Sequence, residues 1–330
     1  MNPRHTPVGT SRREFLAALG AGLLLPAVTG LRSARRDPTL AERLGYPADS
    51  RLLLLHADDL GLLHSVNAAA ITLFENGTIQ SGSVMVPSPW FPEFAAYAQT
   101  KPALDIGVHL TFICERPNFR WGPVLGAAKV PSLVDPNGYF PVSWEPEREV
   151  NLAELEAEIR AQIDRAATLG VPATHLDAHA HTLQWRGRPV FEVLQKVARE
   201  YRLPIRVGRN WYTGYPYLAQ ALGRDGIVLD RSVTIPPTIG PDQWIAWYVE
   251  AIRGLSPGVT EVFLHPGYDD GELRAYAGPR LSWGSAWRQR DFDAVQSGAV
   301  REAIAAVGAR PISWREIRRL LPDGSAPARN

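Results

Sequence analysis

The segment Arg51-Leu52-Leu53-Leu54-Leu55-His56-Ala57 constrains the fold more than any other stretch of the chain. Four consecutive leucines leave no polar face, as expected of a strand covered on both sides, and such strands belong to parallel sheets with helices packed over them. Downstream, short β-rich apolar runs alternate with longer amphipathic stretches, the signature of βα units. Strands are expected at Arg51 to Ala57, Ile79 to Val86, Asp105 to Leu110, Ala173 to Asp177, Pro204 to Val207 and Glu261 to Leu264. Helices are expected at Ser65 to Asn76, Trp90 to Gln99, Leu152 to Leu169, Pro189 to Tyr201 and Gln243 to Leu255, with a last helix, strand and helix between Asp291 and Leu321. Glu115 to Val150 and Gly208 to Pro241 are long irregular segments rich in Pro, Gly and aromatics, and loops of that length usually carry function. The 330 residues show no internal repeat and suit one (β/α) barrel with a loop insertion or two.

Charge narrows the partners. A formal net charge of +1 gives no field that would draw nucleic acid or anionic lipid, so a small or neutral substrate fits better. The single cysteine, Cys114, rules out an intramolecular disulfide and any multi-cysteine metal site within the chain. Near the N-terminus, Ser11-Arg12-Arg13-Glu14-Phe15-Leu16 precedes a weakly apolar run from Ala17 to Val28, which reads as a twin-arginine export signal. That run is shorter than the roughly 20 residues needed to cross a bilayer, so no stable span is expected in the mature protein. The expected layout is a signal and linker over 1–37, a single barrel over 45–321, and a disordered tail over 322–330. Export places the protein in the periplasm or outside the cell.

The first strand ends in His56-Ala57-Asp58-Asp59-Leu60-Gly61. Two adjacent carboxylates at the end of a buried strand are disfavoured by burial and by mutual repulsion, so they need a compensator such as a metal ion or a salt bridge. Histidines recur at the same kind of place: His109 closes the third strand, His175, His179 and His181 flank the fourth, and His265 ends a later one. In a parallel barrel those strand ends meet on one rim, where active sites are found. One aspartate and two histidines around an open metal position suit water activation. The other aspartate is then free to act as general base, and a histidine from the opposite wall to protonate the leaving group. Arg206, at a strand end on the same rim, reads equally as a substrate contact or an ion-paired arginine. Trp121, Trp185, Trp211, Trp283 and Trp287 offer flat faces for sugar rings, although packing is the better reading of each.

Four motifs together resemble the YdjC-like, or ChbG/HpnK, carbohydrate deacetylases, relatives of the polysaccharide deacetylases with a distorted (β/α) TIM-like barrel of parallel strands. They are Asp58-Asp59-Leu60-Gly61 with Asn67, Gly107-Val108-His109-Leu110, His175-Leu176-Asp177-Ala178-His179-Ala180-His181, and His265-Pro266-Gly267, and the likeness spans Arg51 to Leu321. The resemblance implies Asp59, His109 and His179 as metal ligands, Asp58 as general base and His265 as general acid. It makes Asp177 an orienter of an imidazole and His181 and His175 lining residues, with a structural role equally open to His175. One divalent cation is implied: magnesium by the family, zinc by the two imidazoles. The implied reaction removes N-acetyl groups from an amino-sugar-containing carbohydrate, so the expected partner is an N-acetylated glycan. Hydrolysis of an ester or phosphoester and non-catalytic carbohydrate binding are the alternatives, and the presence of all five catalytic positions speaks against the second. The family's Arg-x-x-Glu-Leu is matched imperfectly here by Arg290-Asp291-Phe292-Asp293-Ala294, leaving the roles of Arg290 and Asp293 open.

Overall fold

The structure, a computed structural model, describes residues 37–144, 148–223 and 226–321. The export signal and the C-terminal tail lie outside the described residues. From Pro38 onward the chain forms one compact α/β unit. Its strands are β1 (Arg51–Leu60), β2 (Ser81–Val84), β3 (Ile106–Leu110), β4 (Leu176–Ala178), β5 (Arg231–Val233), β6 (Gly258–Leu264) and β7 (Arg310–Pro311). They pair in parallel in the order β4-β3-β2-β1-β6-β5. β7 shares one edge of β1 with β2: it meets Leu52 and Leu53, while β2 meets His56 to Leu60.

The ring continues past β4 through isolated parallel bridges, Leu176 with Ile205 and Gly208 with Leu229, and Leu229 leads into β5. This is a distorted barrel, with two staves reduced to single bridges. The expected strand at Pro204 to Val207 survives only as that bridging segment, because Pro204 and the loop following Gly208 leave few backbone donors in line. β5 sits inside the segment read as irregular; three residues among prolines and glycines carry no periodicity. Short helices at Leu40–Arg43, Tyr217–Leu222 and Gly271–Ala277 were likewise too brief to signal themselves. Beyond β6 the chain makes helices Ser285–Val295 and Gly298–Ala306 before β7 and a final helix, Trp314–Arg318.

The leucine run divides between two cores, as the two-residue period of a strand requires. Leu53, Leu55 and Ala57 join the main cluster, while Leu52 and Leu54 join Trp314, Val259 and Leu229 in a second. Each buried leucine contributes about 1.5–3 kcal/mol. The segment is therefore anchored on both faces before it reaches its polar end.

Candidate active site

β1 does not stop at the apolar run but carries His56, Asp58 and Asp59 up to Leu60. In a regular strand, neighbours 58 and 59 would point to opposite faces. Here the register against β2 slips between Ala57 and Leu60, and Asp59 adopts φ 67°. That left-handed conformation is tolerated by Asp better than by most residues. The irregularity brings both carboxylates to His109: atoms of Asp58, His109 and Asp177 lie within 4.8 Å of one another, as do atoms of Asp59, His109 and His179. Asn67 secures the turn, its Oδ1 accepting from Gly61 N–H at 2.7 Å.

Each carboxylate has its own arginine. Arg206 donates to both oxygens of Asp58, at 2.7 and 2.9 Å, and Arg288 donates to Asp59 Oδ2 at 2.6 Å. Burial pushes both carboxyls up, but the two guanidiniums and the surrounding imidazoles outweigh it and hold both well below the usual carboxylate range. Arg206 is fully buried, also reaches Asp177 Oδ2 at 3.1 Å, and lies over the Phe263 ring. Of its two sequence readings, the ion-paired one is what the structure shows.

Asp59 Oδ1 faces His109 Nε2 at 3.3 Å and His179 Nδ1 at 3.0 Å. One carboxylate oxygen and two imidazole nitrogens, all buried, are a donor set that can hold a metal ion. The far side of each ring is fixed by a further carboxylate. His109 Nδ1 lies 2.9 Å from Asp177 Oδ1, and His179 Nε2 lies 3.1 Å from both oxygens of Glu115. Such outer partners set the tautomer and orientation of metal-binding imidazoles. Burial works against protonation of His109, but the charges of Asp177 and Asp58 prevail and raise it to about 9. Asp177 also accepts from Ser83 at 2.8 Å. Beneath it lies His56, 3.2 Å from Asp58 Oδ1 and 3.1 Å from Ser83 Oγ.

His265 follows β6 directly and places Nε2 3.8 Å from Asp58 Oδ2. Burial pushes it down to about 4, against the opposing charges of Asp59 and Asp58. Its backbone N–H donates to Asp291 Oδ2 at 2.9 Å, and Asp291 Oδ1 accepts from Trp244 and Tyr248. His265 Nδ1 is buried without a protein partner among the described residues.

The barrel thus gathers Asp58, Asp59, His109, Asp177, His179, Arg206 and His265, with His181 at the edge of the group, and sets His175 apart. His175 is fully buried, stacks on Trp314 at 4.9 Å, and is held neutral by burial, so its place is structural. His181, which like Ala180 adopts positive φ, lies within electrostatic reach of Arg206, Asp58 and His109. It stacks on Trp185 at 4.0 Å beside a cavity of about 410 Å³ that it lines with Trp144, Trp185 and Arg186. Most of the tryptophans are packing residues. Trp121, Trp211 and Trp287 are buried, whereas Trp185, stacked between His181 and Tyr215, is exposed and lines that cavity.

Sequence reading missed Arg288, Glu115 and the role of His56. The first had a signal: the family's arginine and acid fit Arg288-x-x-Asp291, two residues ahead of the register chosen. Arg288 and Asp291 are three apart on helix Ser285–Val295 and both buried, whereas Asp293 is exposed and Arg290 half-buried over Trp244. Glu115 follows a strand by several residues and stood out only as a loop residue.

The YdjC-like protein family model matches residues 52–306. The chain belongs to the YdjC-like family. Among its YdjC-like relatives, a carbohydrate deacetylase of Thermus thermophilus is 33% identical, with 86% of this chain and 99% of the relative covered. Another, of Enterococcus faecalis, is 34% identical over 78% of this chain and 95% of its own length. A crystal structure from Enterococcus faecalis, of a protein described as a candidate cellobiose-phosphate cleavage protein, superposes with a TM-score of 0.69 at 27% identity, covering 81% of this chain and 99% of that one. The chain is an enzyme of the YdjC-like family, built on its parallel barrel.

Proposed function

We propose that this enzyme is a metal-dependent hydrolase that removes N-acetyl groups from an amino-sugar-containing carbohydrate. The observation that carries the reading is the convergence of Asp59 Oδ1, His109 Nε2 and His179 Nδ1, with Asp58 and His265 beside them. The carbohydrate deacetylase relatives supply the substrate class. Asp59, His109 and His179 would hold one divalent cation; the two imidazoles favour zinc, and the family resemblance favours magnesium. Such a cation, when bound, polarises the acetamide carbonyl and lowers the pKa of water.

The side chains divide the remaining chemistry. Asp58, kept ionised by Arg206, accepts a proton from the attacking water as its oxygen bonds to the carbonyl carbon. His265, held neutral at rest by burial, takes over the proton that Asp58 accepts from water and delivers it to the amine nitrogen as the carbon–nitrogen bond breaks, releasing acetate and the free amino sugar. Asp58 Oδ2 and His265 Nε2 stand 3.8 Å apart, so the proton taken by one resets the other. Asp177 and Glu115 keep the two ligand imidazoles in orientation. Among the described residues no helix is long and apolar enough to cross a membrane. Twin-arginine export to the periplasm or the cell exterior is part of the proposal, supported by Ser11 to Val28.

Acetate release from N-acetylglucosamine oligomers, measured with and without chelator and with Asp58→Asn, tests this reading. Metal-dependent release abolished by the substitution is expected. A protein that carries no metal and ignores chelator refutes it, and bound metal without acetate from any acetylated glycan would point to an ester or phosphoester instead.

A further inference from the structure

The cavity of about 410 Å³ beside His181 begins one residue past His179: Ala180, His181 and Thr182 line it together with Trp144, Trp185 and Arg186. Its size falls within the range of about 300–1,000 Å³ usual for small-molecule sites. Two ring nitrogens of its lining residues, Trp144 Nε1 and His181 Nδ1, are enclosed yet have no partner among the described residues. Buried polar atoms are nearly always hydrogen-bonded, so two such atoms on the residues of one cavity are places for a ligand to meet.

The lining sets the character of that ligand. It holds no carboxylate and no lysine, and its guanidinium is engaged: Arg186 lies over the Trp144 ring, 4.7 Å from the centroid, and donates to the carbonyls of Trp144, at 2.9 Å, and Arg148. The flat faces of the rings are used as well. Trp144 stacks on Phe112 with centroids 5.5 Å apart, and Trp185 stands between His181 at 4.0 Å and Tyr215 at 5.2 Å. The rings therefore present their edges to the cavity, held in place before any ligand arrives, which lowers the ordering cost of binding. An uncharged ligand with hydroxyl groups around a compact apolar ring matches such a lining, and a pyranose is a molecule of that kind.

We propose that this cavity is a subsite for an uncharged sugar unit linked directly to the one that carries the acetamide, with Trp144 Nε1–H donating to one of its hydroxyls and His181 Nδ1 hydrogen-bonded to another. The subsite rests on the deacetylase reading of the adjoining centre. His179 and Ala180 are consecutive, with Cα atoms about 3.8 Å apart, so a sugar held at the Asp59 centre and its glycosidic neighbour reach both places. Trp185, 40% exposed, backs His181 and fixes the direction of its ring. The enzyme then reads a linked pair of sugars, and a lone amino sugar fills only half of the site.

Calorimetric titration with N-acetylglucosamine and with its β-linked disaccharide decides the matter. The protein carries Asp58→Asn so that the sugars stay intact, alone or combined with Trp144→Phe or His181→Asn, and circular dichroism checks the fold. The disaccharide is expected to bind about tenfold more tightly than the monosaccharide, and each added substitution to cut that advantage about three- to tenfold while leaving the monosaccharide unchanged. With Asp58 in place, the same substitutions should raise KM for the disaccharide alone. Equal binding of the two sugars, an advantage that survives both substitutions, or substitutions that weaken both sugars alike overturns the subsite. If Trp144→Phe fails to fold, His181→Asn carries the test. Acetate assayed in parallel separates the two ideas. Disaccharide binding that depends on Trp144 and His181 without acetate from either sugar removes the deacetylase reading and leaves the sugar site standing; acetate released equally well from both sugars does the reverse.

Discussion

Replacing Arg206 by methionine keeps most of its length and apolar stem and removes the charge from the most enclosed part of the site. The guanidinium is fully buried and makes two hydrogen bonds to Asp58 and an ion pair to Asp177 at 3.1 Å. Removing one partner of a buried pair leaves the other charge uncompensated, at a cost of about 3–5 kcal/mol. For a domain of this size that lowers the melting temperature by about 5–8 °C. The second consequence is chemical. Arg206 is the leading opponent of burial at Asp58, so without it the Asp58 carboxyl rises and the acid limb of the pH–rate profile moves to higher pH. Differential scanning calorimetry and a pH–rate profile measure the two effects. The double variant Arg206→Met with Asp58→Asn removes both charges and should recover a substantial part of the lost stability, because the two sites are directly coupled. A single variant melting within about 2 °C of wild type, or a double variant whose loss equals the sum of the singles, would refute the pairing as the determinant of this site.

Gly107→Ala should lose about 1–3 kcal/mol in denaturant unfolding, since an added Cβ would fall 2.7 Å from His175 Cδ2, in a ring already wedged against Trp314. His56, driven down by burial but up to about 9 by Asp177 and Asp58, is protonated in the fold, so its contribution is complete below pH 6.5 and lost as pH rises to about 9. That amounts to about 3 kcal/mol, so urea titrations at pH 6.5 and 9 should show His56→Gln losing about 3 kcal/mol less than wild type, the remaining loss coming from His109, which the same acids also raise to about 9. Asp59→Asn should bring bound metal close to zero by elemental analysis, whereas His181→Asn should leave it unchanged, because His181 faces Trp185 and not Asp59. Adding the resident cation at about one hundred times its dissociation constant should raise the stability of wild type by about 2.7 kcal/mol and that of Asp59→Asn by almost nothing.

The parallel barrel was legible because its strongest strand is so one-sided in composition. Four leucines in a row admit few alternatives, and the helices that follow keep their amphipathic period to within a residue or two at each end. What escaped were elements with too little length to show a period: β5, the bridge between Gly208 and Leu229 and the helix at Gly271–Ala277. The same limit hid the residues that complete the site. Glu115 and Arg288 act through positions set by tertiary packing, and neither sits where a strand ends. The slip in register at Asp58 and Asp59 was equally invisible, since a one-residue irregularity leaves no trace in hydrophobic pattern. Two neighbouring aspartates announced themselves as a chemical oddity, but their sequence did not say that each would face a separate arginine.

The motif glycines carry information of another kind. An added Cβ at Gly107 would strike His175, one at Gly61 would meet the Phe91 backbone at 2.9 Å, and one at Gly267 would approach Leu273 at 2.8 Å and the Arg288 stem at 3.2 Å. Each glycine therefore marks a place where another part of the chain has to come close. Gly61, at φ 88°, also supplies the turn that ends β1 just after the two aspartates. Gly267 accounts for its own motif: His265 supplies the imidazole, and two residues later the missing side chain lets the helix bearing Arg288 approach Asp59. A substitution such as Gly267→Ala would displace Arg288 without touching any ionisable group. In this fold, the residues with least chemistry of their own set how closely the reactive ones can assemble.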